Sequence, residues 1–353
     1  VKKEEIRSVL ILRTDHLGDL LLSTPLIRTL RTALPGRRFT LVASPANAEA
    51  LADWDAIDEI LLFDSRWPLL KKWRFARQLA TGYAGRPWDL CLVLSPRTPS
   101  YLLGWLSKAA LRTGIVYSRR ILARLLSPLW LTHPVVLSLD EQLDANQQLP
   151  HEVEQLAEIA KALGLPATEP GPLEFPLSPL ELDWAQNWLG TTPGQTIGIH
   201  GAGKWLSGGW TAEDFINLLR TIATNKLNEN CAALRLVVTF GPGDQQLEQA
   251  VSQAMQSQPD PRILLPGRLS VPRWAALLSR CDAVVTPDTG SLHLAVAVNR
   301  PVVAMYESAT FLHCTSQWAP WQVPHGIVRR GEPAATIPLI VAELLRLLGD
   351  PPQ

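Results

Sequence analysis

The chain has 353 residues, enough for two ordinary domains with filled cores, and its 33 basic side chains balance 33 acidic ones, so no global field argues for bulk nucleic-acid binding. Four cysteines, Cys91, Cys231, Cys281 and Cys314, stand at scattered spacings without a CxxC pair; this fits neither a disulfide framework nor a zinc knuckle and points to a reducing compartment. The opening VKKEEIRSVLILR has too few apolar residues for a signal-peptide core, and no apolar stretch approaches membrane-spanning length, so a cytoplasmic protein is expected.

In chain order, short apolar runs bounded by turn residues read as buried parallel strands: SVLIL, RFTLVA, EILLF, DLCLVL, QTIGIH, LRLVVTF, RILL, DAVVT and PVVAMY. Helical patterns lie between most of them. LLSTPLIRTLRTAL ends at Pro35-Gly36, and TAEDFINLLRTIA opens on Thr211 as its N-cap. Such alternation predicts an α/β class with right-handed crossovers. The strands come in two batches, separated by a polar, proline-rich stretch from about residue 134 to 193 that carries Pro166, Pro170, Pro172, Pro176 and Pro179. Domains over 1–175 and 176–353 are expected. No fixed-period repeat or low-complexity tract interrupts them.

Asp288-Thr289-Gly290 is the tripeptide of aspartic proteases, but those need a pair of such carboxylates in an all-β fold. Here it joins the strand DAVVT to the helical pattern SLHLAVAV, where backbone N–H groups at a helix N-terminus make an anion site. By itself, Asp288 reads as a helix cap and His293 as an ordinary helix residue with its polar end satisfied. Residues 198–210, GIHGAGKWLSGGW, nearly spell a phosphate-binding loop: Gly198 and Gly203-Lys204 are correctly spaced, but Trp205 stands where a magnesium-binding hydroxyl belongs. The helix that should follow at once is delayed by Leu206, Ser207, Gly208 and Gly209. A nucleotide hydrolase is therefore not expected, whereas a glycine loop with one lysine suits a diphosphate. In the first half, Gly18 permits a tight turn after SVLILR and Asp19 stands in the first helical turn, where acids commonly serve the helix dipole.

Taken in order, LGDLLLSTPLIRTLR, HGAGKWLSGGW, FGPGDQQ, LPGRLSVPRWAALLSRCDAVVTPDTGSLHLAVAV and MYES resemble glycosyltransferase family 9, the heptosyltransferase-like enzymes of lipopolysaccharide assembly. The resemblance implies a GT-B fold, two Rossmann-like domains facing across a cleft, with the last helix able to pack back on the first. It implies inverting, metal-independent transfer of a sugar, heptose among the family's donors, from a nucleotide diphosphate to a saccharide or lipid-linked saccharide. No cofactor is expected. By motif, Asp19 is the implied general base; Gly201, Ala202, Gly203, Lys204, Thr289 and Gly290 contact the diphosphate; Asp288 and His293 line the donor pocket. Asp244, where the family often has Glu, would face the nucleoside, and Leu269 would border the base. An inverting displacement does need a carboxylate for the acceptor's proton and a group stabilising the departing diphosphate. The scattered histidines offer no set with metal-ligand spacing.

The family usually places a lysine two residues before the tryptophan that opens the second domain's first helix; here that position is Gly208. Lys204 is the candidate surrogate, and a lysine returned to position 208 is expected to restore part of what loss of Lys204 removes, provided the backbone there admits a side chain. Residues 66–124 hold a dozen lysines and arginines, among them Lys71, Lys72, Arg119 and Arg120, against one acid, Asp89, with Trp67, Trp73 and Trp105 interspersed. A solvated basic face and an anionic-membrane or phosphorylated-saccharide face are the two readings, the latter making the protein peripheral at the inner face of the cytoplasmic membrane. Nucleic acid is not expected, as no recognition module is visible. The other functions open to this sequence are a GT-B nucleotide-sugar epimerase and a catalytically silent nucleotide-sugar binder.

Overall fold

The computed structural model describes residues 3–138, 148–165, 169–191, 194–224 and 234–349; Cys231, Pro166 and Pro193 lie outside them. The chain divides into two compact units, Val1–Pro176 and Leu177–Gln353.

The first unit runs β1 (Ser8–Arg13), α1 (Leu17–Leu22), α2 (Thr24–Ala33), β2 (Arg38–Ala43), α3 (Pro45–Ala50), β3 (Glu59–Leu62), α4 (Leu69–Ala80), β4 (Leu90–Val93), α5 (Thr98–Leu106), β5 (Leu111–Tyr117), α6 (Ile121–Trp130), β6 (His133–Leu137) and α7 (Glu152–Ala162). Its six strands are parallel in the order β3-β2-β1-β4-β5-β6. β1 is buried at every position, as a central strand covered on both faces must be. Phe75 and Leu79 of α4 and Tyr101 and Leu103 of α5 fill the core over Leu10, Leu12, Cys91 and Val93. The end of the unit is tied down by Glu174, which takes an Arg28 bidentate contact and the Trp54 indole N–H, while its own N–H donates to Thr24.

The second unit runs α8 (Pro179–Leu189), β7 (Thr196–Gly201), α9 (Ala212–Thr224), β8 (Arg235–Phe240), α10 (Gln245–Ser257), β9 (Ile263–Leu264), α11 (Val271–Leu278), β10 (Ala283–Pro287), α12 (Gly290–Ala297), β11 (Val302–Tyr306), α13 (Phe311–Gln317), β12 (His325–Arg329) and α14 (Pro333–Gly349). Its strands are also parallel, in the order β12-β11-β10-β7-β8-β9. In each unit the first strand sits beside the fourth, so strand order reverses between β1 and β4 and between β7 and β10. These switch points open crevices at the carboxyl ends of the strands.

All nine runs read as strands are strands, and three further ones went unread. β5 contains Gly114, which looks like a breaker, but a Cβ there would run into the Val93 carbonyl of the neighbouring strand. β6 begins His133-Pro134 and β12 carries His325 and Arg329; both are sheet edges, where a proline and polar ends are tolerated. The pattern LLSTPLIRTLRTAL is two helices, because Pro25 has no N–H for the Leu21 carbonyl, which accepts from the Thr24 hydroxyl at 2.7 Å instead, and α2 starts afresh after Ser23 with Pro25 in its first turn. The proline-rich stretch is correspondingly narrower than expected, since β6 and α7 belong to the first unit and α8 to the second. The apolar face of α14 is used within its own unit: Ile337, Ile340, Val341, Leu344 and Leu347 join the core with Val303 and Val328. Among the described residues no helix is long and apolar enough to cross a membrane.

Candidate active site

In the first unit, α1 starts just after β1 at the switch point, and Asp19 lies in its first turn. The Asp19 carboxylate accepts from the His16 N–H at 3.1 Å, sits 3.3 Å from His16 Nδ1, and stands 3.8 Å from Arg13 Nη2. Arg13 ends β1 and is 1% exposed. A guanidinium cannot stay charged there unless it is surrounded by acceptors. It has them in Glu152 from α7 and the Asp19 and Leu94 carbonyls, and the Asp15 carboxylate adds its charge 3.3 Å away. Burial would push the Asp19 carboxyl up, but the His16 contacts and the Arg13 charge more than offset it and hold it at about 2. His16 answers in kind, its imidazole raised chiefly by the Asp19 hydrogen bond. The Asp19 side chain keeps 26% of its exposure, so an incoming hydroxyl can reach it.

In the second unit, three strand-end loops meet. After β7, residues 201–207 make a tight turn with a 3-10 segment, Gly203–Leu206. Asp244, at the start of α10, accepts from the Gly203 N–H at 2.6 Å and the Gly241 N–H at 2.9 Å. Lys204 donates to the Asp288 carbonyl and, at 3.1 Å, to its carboxylate. Thr289 is the N-cap of α12 and Gly290 its first residue, so the ammonium is fixed beside a helix N-terminus. Gly203, Lys204, Asp244, Asp288, Thr289 and Gly290 are thus brought together. Gly201 and Ala202 are buried in the same turn, and a Cβ on Gly201 would strike the Phe240 ring, so that glycine serves packing. His293 is buried one turn into α12. Leu269 is half-buried against the cluster of Val237, Ala276 and Leu277, and the bonds joining the three loops do not include it. Of the basic residues, Lys71 lies 3.9 Å over the Trp67 ring and Arg120 4.8 Å over Tyr117; Lys72 is half-buried and Arg119 exposed.

Trp205, where a phosphate-binding loop would carry a hydroxyl, is a buried anchor: its N–H donates to the His200 carbonyl at 2.7 Å and its ring packs on Trp210 and Phe215. Sequence reading also missed Arg330. It is buried past the end of β12 and donates to the carbonyls of Lys204, Trp205 and Ser207, with Glu307 3.3 Å away. Its Cδ would lie 2.8 Å from a Cβ at Gly208, whose φ is +61°. His200, its ring tilted against Trp274 with centroids 4.7 Å apart, is held down at about 4 by burial and is neutral at ordinary pH. No group of three or more His, Cys, Asp or Glu among the described residues is placed to hold a metal ion.

The profile of Glycosyltransferase family 9 (heptosyltransferase) matches residues 73–336. The chain belongs to that family. The match begins after Asp19. The chain is also similar to lipopolysaccharide heptosyltransferase 2 of Salmonella typhimurium, 23% identical over 314 residues, a match that covers 84% of this chain and 82% of that protein. A shorter match, 35% identical over 72 residues, is to lipooligosaccharide heptosyltransferase 2 of Haemophilus influenzae and covers 20% of this chain and 21% of the relative. In structure, the chain resembles a family 9 glycosyltransferase from Veillonella parvula (TM-score 0.77, 19% identity, 97% of each chain covered). It also resembles the E. coli heptosyltransferase WaaC with ADP-2-deoxy-2-fluoro heptose (TM-score 0.66, 17% identity, 97% and 99% covered). The two parallel six-stranded units of this family 9 chain are accordingly a GT-B fold.

Proposed function

We propose that this glycosyltransferase moves a sugar, heptose in the first instance, from an adenosine diphosphate donor to a saccharide acceptor of the lipopolysaccharide type, with inversion and without a metal ion. The observation that carries the reading is the clasp of Lys204 on Asp288 at the start of α12, which sets a cation and free helix N–H groups at one switch point. The WaaC likeness, solved with an ADP-sugar analogue, favours adenine and heptose.

The acceptor hydroxyl oxygen attacks the anomeric carbon while the bond from that carbon to the diphosphate oxygen breaks and its electron pair leaves with the diphosphate. The hydroxyl proton passes to Asp19. A carboxylate held near 2 is always ionised but weakly basic, so it takes the proton late, once the forming bond has made the hydroxyl acidic. Arg13 and His16 keep the carboxylate aimed. Charge growing on the departing diphosphate is met by Lys204 and by the N–H groups around Gly290, both fixed before reaction begins.

Thermal unfolding in the presence of ADP, GDP and UDP tests the donor assignment, because a ligand of the folded state raises apparent stability by mass action. ADP should stabilise the protein and Lys204→Met should diminish the effect. Stabilisation by UDP or GDP in preference to ADP, or an effect indifferent to Lys204, would refute the assignment.

A further inference from the structure

We infer that helices α4, α5 and α6 form a membrane-docking face on which α6 inserts its leucines into an anionic phospholipid bilayer. This goes beyond the transfer reading and stands whether or not that reading does.

On α6, Ile121, Leu122, Leu125, Leu126 and Leu129 repeat at the spacing of a single helical stripe. Such a stripe belongs in a core, yet here it points outward: Leu122 is 75% exposed, Leu125 69% and Leu129 64%. What α6 turns inward is Ser127, which is buried, and the packed Trp130, stacked on Tyr101 of α5. The neighbouring helices continue the exposed face. α5 adds Leu102 and Trp105, and α4 adds Trp73, Leu70 and Leu69, the last 84% exposed. α4 packs on α5 and α5 on α6, so these residues belong to one three-helix layer. Exposed apolar residues gathered on one layer, and not scattered singly, mark a binding surface.

The charge around it selects the occupant. Lys71, Arg74, Arg77, Lys108 and Arg124, all exposed, are interleaved with the apolar residues. Residues 65–138, which supply all three helices, contain one acid, Asp89. That carboxylate is spent at the start of β1, accepting from the Arg7 and Ser8 N–H groups at 2.9 Å and the Ser8 hydroxyl at 3.0 Å. Arg77 also lies 4.7 Å over the Trp73 ring, so cation and aromatic occupy one spot, as suits the headgroup boundary of a bilayer. A second copy of this chain is a poor fit, since pairing the face with itself would set like charges together. Anionic headgroups meet the cations while the leucines reach the acyl chains.

The test is flotation of the full chain with unilamellar vesicles of phosphatidylglycerol and phosphatidylcholine, and with phosphatidylcholine alone. Wild type should float with the anionic vesicles and in part resist added salt, because the apolar contribution is unscreened. Leu122→Asp/Leu125→Asp should lower partition on the order of tenfold or more. Arg124→Gln and Lys71→Gln should each lower it about fivefold at low salt. Bromine-labelled acyl chains should quench tryptophan emission of wild type, and Trp73→Phe/Trp105→Phe should remove most of that quenching, a reading that does not depend on the aspartate variant folding. Absence of flotation, or flotation unaffected by the leucine changes and abolished by salt, overturns the insertion. So does sedimentation showing a wild-type dimer that the leucine changes dissociate, without vesicle binding; the face would then belong to a second copy.

Discussion

Lys204 and Asp288 are joined twice, through the backbone carbonyl of Asp288 and through its carboxylate, Nζ to Oδ2 being 3.1 Å. An amine so held is not a tether free to find a ligand; it is already where the α12 N-terminus concentrates positive potential. Removing it should therefore hurt the step in which charge develops. Lys204→Met is expected to depress kcat on the order of 10² while the donor KM changes much less. Donor-saturation kinetics decide it, and wild-type values for both constants would exclude Lys204 as the surrogate cation.

A lysine at position 208 should not rescue that variant. The sequence offered partial rescue only if the backbone at 208 admits a side chain, and that condition fails: Gly208 has a left-handed backbone and Arg330 occupies the space a Cβ would need. Gly208→Lys should cost about 1–2 kcal/mol of stability from the backbone conformation alone, with further cost from displacing Arg330. Calorimetry should show the lowered Tm, and kcat of the double variant should stay at the Lys204→Met level or below. Recovery of activity would mean that the loop readily adopts another conformation.

For Asp19, substitution by asparagine keeps shape and loses the proton acceptor. Turnover should fall on the order of 10²–10⁴, with donor affinity nearly intact. Correctly folded Asp19→Asn protein with near-normal turnover would remove Asp19 from the chemistry.

The same carboxylate has a consequence for acid stability. Its folded value of about 2 lies below the 3.8 of an ordinary aspartate, so its ionised form stabilises the fold fully above about 4, and that contribution is lost as pH falls through about 2. Over that interval wild type should lose on the order of 2 kcal/mol more than Asp19→Asn. Denaturant titrations of both proteins between pH 5 and 2, read as a difference so that other paired aspartates cancel, measure it; parallel curves would contradict the strong hold by His16 and Arg13.

Transfer should proceed in excess EDTA, because Lys204 and the helix N–H groups meet the leaving group's charge. A strict magnesium requirement in the chemical step would refute the proposed mechanism.

Local pattern was enough to read the nine strands, and the turn chemistry around Thr211 was legible because Thr211 and Asp214 are neighbours that cap reciprocally. Hidden strands had non-local causes: Gly114 is tolerated in β5 because Val93 of another strand approaches it. The site divides the same way. Asp19, Lys204, Asp244 and Asp288 stand in short motifs. Arg13 looked like the end of an apolar run, and only folding brings it to Glu152, 139 positions on. Arg330 is 123 positions from the Ser207 carbonyl it supports, and no spacing within either segment announces the pair.

Asp244 commits one carboxylate oxygen to each of two loops, those of Gly203 and Gly241. Their mutual arrangement is therefore settled during folding, and the proposed nucleotide donor would meet a finished mould. Association should be fast and its heat-capacity change small, limited to the surface the ligand itself covers, because no ordering of these loops accompanies capture.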